Sequence, residues 1–185
     1  MVKIALTGKI RSGKDSVAEI LAKDDFERFA FSDGIWATIQ NIWGISDDYT
    51  NKPRKLLQDV GQKLREVDPY VWINYTLNNV RATEALLEAL GVADKTDIVI
   101  TDLRQPNEYE ALREEGFTII RVSAPESARK QRARARGDDF TEQDLNHETE
   151  SHIDEFDVDY EIINDGTLEE LANEVERVYQ LIVGE

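Results

Sequence analysis

The chain has 185 residues and carries 22 Lys+Arg against 38 Asp+Glu, a formal net charge of −16. Hydrophobic residues make up 41% and charged residues 32%, the balance of one globular domain with a real core rather than of a disordered chain. The absence of cysteine excludes disulfide scaffolds, thiolate zinc sites and thiol catalysis, and two histidines do not furnish a histidine-rich metal cage. No apolar run approaches the roughly 18–20 residues of a membrane span. Residues 2–7 lack the long apolar stretch and cleavage site of a signal peptide, so the expectation is a cytoplasmic protein with no membrane partner. A surface this acidic repels polyanions, which argues against nucleic acid as a partner but leaves small anionic ligands open where basic residues concentrate.

In chain order, residues 2–7 form an apolar, β-branched run that predicts a buried strand. It runs straight into Gly8-Lys9-Ile10-Arg11-Ser12-Gly13-Lys14-Asp15, after which Val17, Ala18, Ile20 and Leu21 recur at helical spacing. Residues 27–31 read as a short second strand. Residues 34–43 and 53–67 read as helices separated by a polar loop at 47–52, with Pro53 suited to a first helical turn. A longer helical stretch covers residues 69–90. Residues 97–101 predict a third strand, 106–115 a helix stopped at Gly116, and 117–122 a fourth strand. A strongly basic helix at 127–136 is followed by an acidic, irregular stretch at 137–151 and a fifth strand at 160–163. Leu168, Leu171, Ala172, Val175, Val178, Tyr179 and Ile182 mark an amphipathic last helix. Strands alternating with helices imply an open, mostly parallel sheet covered on both faces. With no internal repeat, low-complexity tract or linker, the chain reads as a single α/β domain.

Gly8-x-x-x-x-Gly13-Lys14 has the spacing of a phosphate-binding loop. Glycine lets the backbone curl so that successive N–H groups point at phosphate oxygens, the following helix adds its positive end, and Lys14 supplies a point charge. The Ser or Thr that usually ligates Mg²⁺ is replaced by Asp15, with Ser16 one position later. The bland alternative is a tight strand-to-helix turn with a chance lysine.

Two further places suit phosphoryl transfer. Asp102 follows an apolar strand, at the end where open α/β sheets bind ligands, and is a candidate to hold Mg²⁺ through water or to orient an acceptor; alternatively it caps the helix near Pro106. Arg129, Lys130, Arg132, Arg134 and Arg136 crowd into eight positions where even scatter gives about one basic residue. Arg129, Arg132 and Arg136 share one helix face, suited to neutralising a moving phosphoryl group, while Lys130 and Arg134 point elsewhere. The alternative is a solvated surface helix. His147 and His152, with Glu148 and Glu150 between them, read as a polar loop more readily than as a metal site. Most of Trp36, Trp43, Trp72, Tyr70 and Tyr75 are expected in the core, with one or two of them candidates to stack on a base. Asp33 is either a helix cap or an acceptor-binding carboxylate.

The loop resembles the GxxxSGKD loop shared by deoxynucleoside monophosphate kinases of the bacteriophage type and animal phosphomevalonate kinases. The resemblance continues through residues 29–33, Pro53-Arg54-Lys55-Leu56-Leu57-Gln58, residues 61–65 and Asp68-Pro69-Tyr70-Val71-Trp72. It resumes at Thr101-Asp102-Leu103-Arg104-Gln105-Pro106-Asn107-Glu108, at His147-Glu148-Thr149-Glu150, where Thr149 replaces the expected Ser, and at residues 164–171. The phage-type kinases are similar in the PRxLLQ, DPxVW and DxRxPNE segments together; the phosphomevalonate kinases are similar around the basic helix and the Glu-rich loop.

The resemblance implies a nucleoside monophosphate kinase-like P-loop fold with a five-stranded parallel sheet. It implies a core at 1–31, 91–124 and 155–185, a helical acceptor-binding region at about 32–90 and an arginine lid at about 125–150. It implies ATP and Mg²⁺ as donor and cofactor, with Gly8, Lys9, Ile10, Arg11, Ser12, Gly13, Lys14, Asp15 and Ser16 on the donor phosphates and Asn164, Gly166 and Thr167 near its adenine. Asp33, Arg65, Trp72 and Arg104 fall to the acceptor, and Asp15 and Asp102 to the metal. The function expected is phosphorylation of a deoxynucleoside monophosphate to the diphosphate. The alternatives are phosphomevalonate as acceptor, or a P-loop switch with no acceptor at all. Monomer and homodimer are both left open.

Overall fold

The computed structural model describes residues 1–22, 26–45, 53–93, 96–135 and 152–184. Five strands, β1 (Lys3–Thr7), β2 (Phe26–Phe29), β3 (Asp97–Leu103), β4 (Thr118–Ser123) and β5 (Tyr160–Ile163), form one sheet in the order β2-β3-β1-β4-β5. Every neighbouring pair is parallel. Seven α-helices accompany them among the described residues: α1 (Lys14–Leu21), α2 (Phe31–Trp43), α3 (Arg54–Val67), α4 (Val71–Leu90), α5 (Pro106–Glu114), α6 (Glu126–Ala135) and α7 (Leu168–Gly184). A 3-10 turn, His152–Asp154, precedes β5.

The strand period of two explains why the central strands read as unbroken apolar runs. Ile4 and Leu6 on β1 pack with Val99, Ile120, Val122 and Ile162 against α1 and α7, while Ala5 faces Ile98, Ile100 and Ile119 on the other side, under α2, α4 and α5. Both faces are covered, so neither needs polar residues. The order places β1 between β3 and β4, so the chain leaves β1 at the point where strand order reverses. In open α/β sheets the crevice outside that point takes ligands.

Several boundaries differ from the sequence reading. Phe31 opens α2 instead of ending β2, because the Asp102 carboxylate accepts the Phe31 and Ser32 amides at 2.7 and 3.0 Å and starts the helix there. β3 runs on to Leu103, whose carbonyl accepts the Thr7 hydroxyl at 3.0 Å. α4 starts at Val71, after a turn in which Asp68 accepts the Tyr70 amide at 2.8 Å. The expectation of aromatic core residues holds for Trp72, 3% exposed, but Trp43, Tyr70 and Tyr75 are exposed. The polar loop at 47–52, Arg136 and the acidic stretch at 137–151 with His147, Glu148, Thr149 and Glu150 lie outside the described residues. The described part of the expected lid is therefore α6. No described helix is long and apolar enough to cross a membrane.

Candidate active site

The glycine loop joins β1 to α1, and its two glycines are required by geometry. Gly8 has φ +149°, and a Cβ there would lie 2.3 Å from the Val122 carbonyl oxygen. Gly13, at φ +109°, would place a Cβ 2.0 Å from Asn164 Nδ2. Neither position admits a side chain without displacing its neighbour. Between them Arg11 takes φ +61°, completing the curl that turns the loop back on itself.

Lys14, the first residue of α1, is buried at 7% exposure. Its ammonium donates to the Gly8 carbonyl at 2.5 Å and the Lys9 carbonyl at 3.3 Å, inside the loop's own ring. A buried ammonium costs desolvation that carbonyl oxygens offset only partly, and it is suited to an anion at the same place. Asp15 lies exposed in the first turn of α1 and Ser16 is half-buried beside it.

The basic helix is seated on the loop. Arg129, 8% exposed, directs Nη1 toward the Ile10 carbonyl at 3.4 Å. Arg132 donates through Nη1 to the Ser12 and Arg11 carbonyls at 3.3 and 3.4 Å, and through Nη2 to both oxygens of Asn164 at 3.0 Å. The solvated-helix alternative fails for this face, whereas Lys130, paired with Glu126 at 2.5 Å, and the exposed Arg134 fit it. Asn164, just past β5, is buried; its side-chain amide donates to the Ser12 carbonyl at 2.8 Å. Loop, basic helix and β5 thus meet at Ser12.

A cavity of about 150 Å³ opens beside the loop, lined by Gly8, Lys9, Ser12, Arg121, Ser123 and Arg129 among others. Three buried polar atoms of these residues, Ser12 Oγ, Arg121 Nε and Arg129 Nε, have no hydrogen-bond partner among the described residues. Buried donors left unmatched beside a buried ammonium fit the phosphate oxygens of a nucleotide. Lys9 meanwhile pairs with Asp154 at 2.5 Å. For Mg²⁺, Asp15 and Ser16 present oxygens at the start of α1, the donor type the ion prefers, and it commonly takes its other positions from waters and phosphates. Among the described residues no group of three or more His, Cys, Asp or Glu is placed to hold a metal, and His152 pairs with Glu155 at 3.4 Å.

A second group of charges lies where β3 ends. Asp102 caps α2, not the helix that starts at Pro106, whose N-cap is Gln105. Asp33 accepts the Ala30 amide at 2.7 Å in the same helix start and lies 3.6 Å from Arg28, with burial holding its carboxyl above the ordinary value. The cap alternative for Asp33 is therefore realised. Trp72 packs in the core and its indole donates to the Gly61 carbonyl at 3.1 Å, so it fixes α3 on α4 and offers no open face for stacking. Thr167 starts α7, bonding Glu170 through its amide and hydroxyl at 2.7 and 2.9 Å, and a Cβ on Gly166 would strike the same carboxylate.

Two residues to which the sequence reading gave no role also belong here. Arg121, on β4, lines the cavity, and its Nη2 donates to the Phe156 carbonyl at 2.6 Å. Glu108, 3% exposed, accepts the Arg104 and Gln105 amides at 3.0 Å each and faces Arg65 at 3.6 Å. Burial, with Asp102 nearby adding to it, pushes the Glu108 carboxyl up to about 7. The capping-box spacing Gln105-x-x-Glu108 was the available signal.

Among solved structures, the chain is similar to an unliganded sugar kinase from Janibacter sp., at 17% identity and TM-score 0.53, covering 100% of this chain and 95% of that one. It is similar to the tunicamycin resistance protein of Deinococcus radiodurans at 17% identity and TM-score 0.55, covering 95% and 94%. The dephospho-CoA kinase of Campylobacter jejuni aligns at 18% identity and TM-score 0.51, covering 98% and 97%. At these identities the similarity is one of fold. No curated protein sequence matches the chain. A family model described as an AAA domain matches residues 4–153, from β1 through the glycine loop and the basic helix to the 3-10 turn. On that match the chain belongs to the AAA domain family, and its five-stranded parallel sheet with flanking helices is the P-loop kinase fold.

Proposed function

We infer that the protein transfers the γ-phosphoryl group of ATP to the phosphate of a deoxynucleoside monophosphate. The observation that carries the reading is the seating of Arg129 and Arg132 on the carbonyls of the glycine loop. A nucleotide switch needs the loop and Lys14; arginines brought to the loop from a separate helix suit a reaction in which charge moves between phosphates.

In the reaction, an oxygen of the acceptor phosphate forms a new bond to Pγ while the bond from Pγ to the β,γ-bridging oxygen breaks, and ADP leaves with that electron pair. The protein supplies position and charge. The loop amides and Lys14 hold the donor phosphates, and Lys14 follows the charge that develops on the transferred group. Arg129 and Arg132 screen the same oxygens from α6, and a closed lid keeps out the water that would otherwise hydrolyse ATP. Asp15 and Ser16 would hold Mg²⁺, which would supply positive charge against the donor phosphates. Arg65, in the last turn of α3, and Arg104, between β3 and α5, take the acceptor phosphate.

The test is an acceptor panel: ATP and Mg²⁺ with the four common dNMPs, the corresponding NMPs and phosphomevalonate, following ADP. Turnover that depends on a dNMP supports the reading. Turnover with phosphomevalonate alone replaces it with the second kinase of the same class, and acceptor-independent hydrolysis replaces it with the switch.

A further inference from the structure

We propose that Glu108 is a positioning residue of the acceptor site, holding Arg65 of α3 and the Arg104 amide beyond β3 on one buried carboxylate. The inference rests on Arg65 and Arg104 receiving the acceptor phosphate. Glu108 uses its two oxygens differently. Oε2 accepts the Arg104 and Gln105 amides, the work of a helix cap. Oε1 faces Arg65 Nη2 at 3.6 Å. The cap alone needs only a neutral acceptor, which a glutamine provides. The two amides favour a negative charge as well, and among the described residues facing the carboxylate Arg65 is the cation that pairs with it.

That charge is held where it is costly. Glu108 is 3% exposed, and the Asp102 carboxylate at the end of β3 disfavours a second negative charge nearby. The groups facing it are Asp102 from β3, Arg65 from α3 and the amides of Arg104 and Gln105. Arg65 is anchored close by: Trp72 ties α4 to the Gly61 carbonyl, one turn earlier on α3. The Arg65 side chain is about a quarter exposed (23%), so one edge meets Glu108 while part of the side chain still reaches solvent. An arginine fixed on its inner edge by a buried carboxylate presents its outer donors to a phosphate with less rotamer freedom left to lose.

The experiment is calorimetric titration with the donor site filled by a non-hydrolysable ATP analogue and Mg²⁺. The probes are the dNMPs, phosphomevalonate and inorganic phosphate, at pH 6 and pH 8, on the parent, Glu108→Gln, Arg65→Ala and the double variant. Glu108→Gln keeps the cap and removes the charge. At pH 8 it is expected to weaken acceptor binding about tenfold, the scale of losing one charged partner, with no loss in melting temperature. In the Arg65→Ala background the same change is expected to do nothing further. The parent is expected to bind more tightly at pH 8 than at pH 6 by more than the ligand's own titration, which Glu108→Gln reports by itself. Parent-like affinity of Glu108→Gln at pH 8, or an undiminished effect of it in Arg65→Ala, overturns the proposal. If Glu108→Gln does not fold, the parent's extra pH dependence and its loss in Arg65→Ala decide it. A parent that binds another phosphate monoester and no dNMP ends the nucleotide reading while leaving the role of Glu108 standing. A parent that binds no phosphate beside the donor ends both.

Discussion

The side-chain amide of Asn164 donates to the carbonyl of Ser12 across 2.8 Å, joining the end of β5 to the glycine loop over 152 positions of chain. Arg132 then bridges Asn164 to the same carbonyl from α6. Removing the amide leaves Ser12 O dependent on Arg132 and strips Arg132 of one acceptor. Asn164→Ala is expected to lose about 1–3 kcal/mol of stability, the range for unmatched buried polar groups, and to bind ATP more weakly. Denaturant unfolding and ATP calorimetry check this. An unchanged ATP affinity would detach Asn164 from the loop's function.

Gly13 meets the same amide from the other side. Gly13→Ala forces a Cβ to 2.0 Å from Asn164 Nδ2 at φ +109°, so it carries both a clash and backbone strain. The expectation is a larger destabilisation than Asn164→Ala, with the double variant losing less than the two single losses combined. Non-additivity of about 0.5 kcal/mol or more marks the shared contact. Simple additivity in the unfolding free energies would place the cost of Gly13→Ala in the backbone alone.

Lys14→Ala tests the loop's charge. The buried ammonium sits within the ring of carbonyls that Gly8 and Lys9 provide. Its loss is expected to lower turnover by at least about a hundredfold, as for removal of a group aimed at transition-state charge. The circular dichroism spectrum is expected to stay that of the parent. Near-normal turnover by a folded variant refutes the assignment of the loop.

The sheet and the loop were legible because both rest on local pattern: β-branched runs for the strands, and glycines at fixed spacing before an amphipathic helix. The basic cluster was legible as a cluster, and the i, i+3 spacing picked out Arg129 and Arg132 over Lys130 and Arg134. What pattern could not carry was long-range pairing. Asp102 caps a helix 70 positions earlier, and Asn164 binds a loop at the opposite end of the chain. Composition equally gave no means of telling Trp72, which is buried, from Tyr70, Tyr75 and Trp43, whose rings extend to solvent. Those depend on how α2 and α4 rotate against the sheet, which tertiary packing decides.

Glu108 also sets a pH dependence of stability. Its carboxyl is raised from 4.5 to about 7 in the fold, so the folded state binds the proton more tightly than the unfolded chain. The stabilising contribution is complete below about pH 4.5 and fades as pH rises through about 7, a change on the order of 3 kcal/mol. Glu108→Gln cannot ionise and is expected to gain on the parent steadily between pH 5 and pH 8. Denaturant unfolding of both proteins across that window measures it. A constant difference in unfolding free energy would mean that Glu108 is already ionised at pH 5.

Asp15 stands where the commoner phosphate-binding loop has a neutral hydroxyl. It is exposed in the first turn of α1, so its carboxylate is available to a bound ligand as well as to the helix dipole. A carboxylate beside phosphates repels them unless a divalent cation lies between, and hard Mg²⁺ accepts oxygen ligands while keeping several waters. Donor binding should therefore depend on the metal more steeply than with a hydroxyl. Asp15→Asn keeps the shape and removes the charge. The variant is expected to bind metal-free ATP more tightly than the parent and to gain less from Mg²⁺, with slower turnover once Mg²⁺ is added. Calorimetric titration of ATP in EDTA and in Mg²⁺, on parent and variant, gives the two affinity ratios without relying on activity. If Asp15 serves only the helix dipole, the ratio is the same in both proteins, and the metal contact passes to Ser16 or Asp102. Asp102 already gives one oxygen each to the Phe31 and Ser32 amides, so an Asp102→Asn control separates those two: it weakens the cap of α2 in either case and alters the Mg²⁺ ratio only if Asp102 holds the ion.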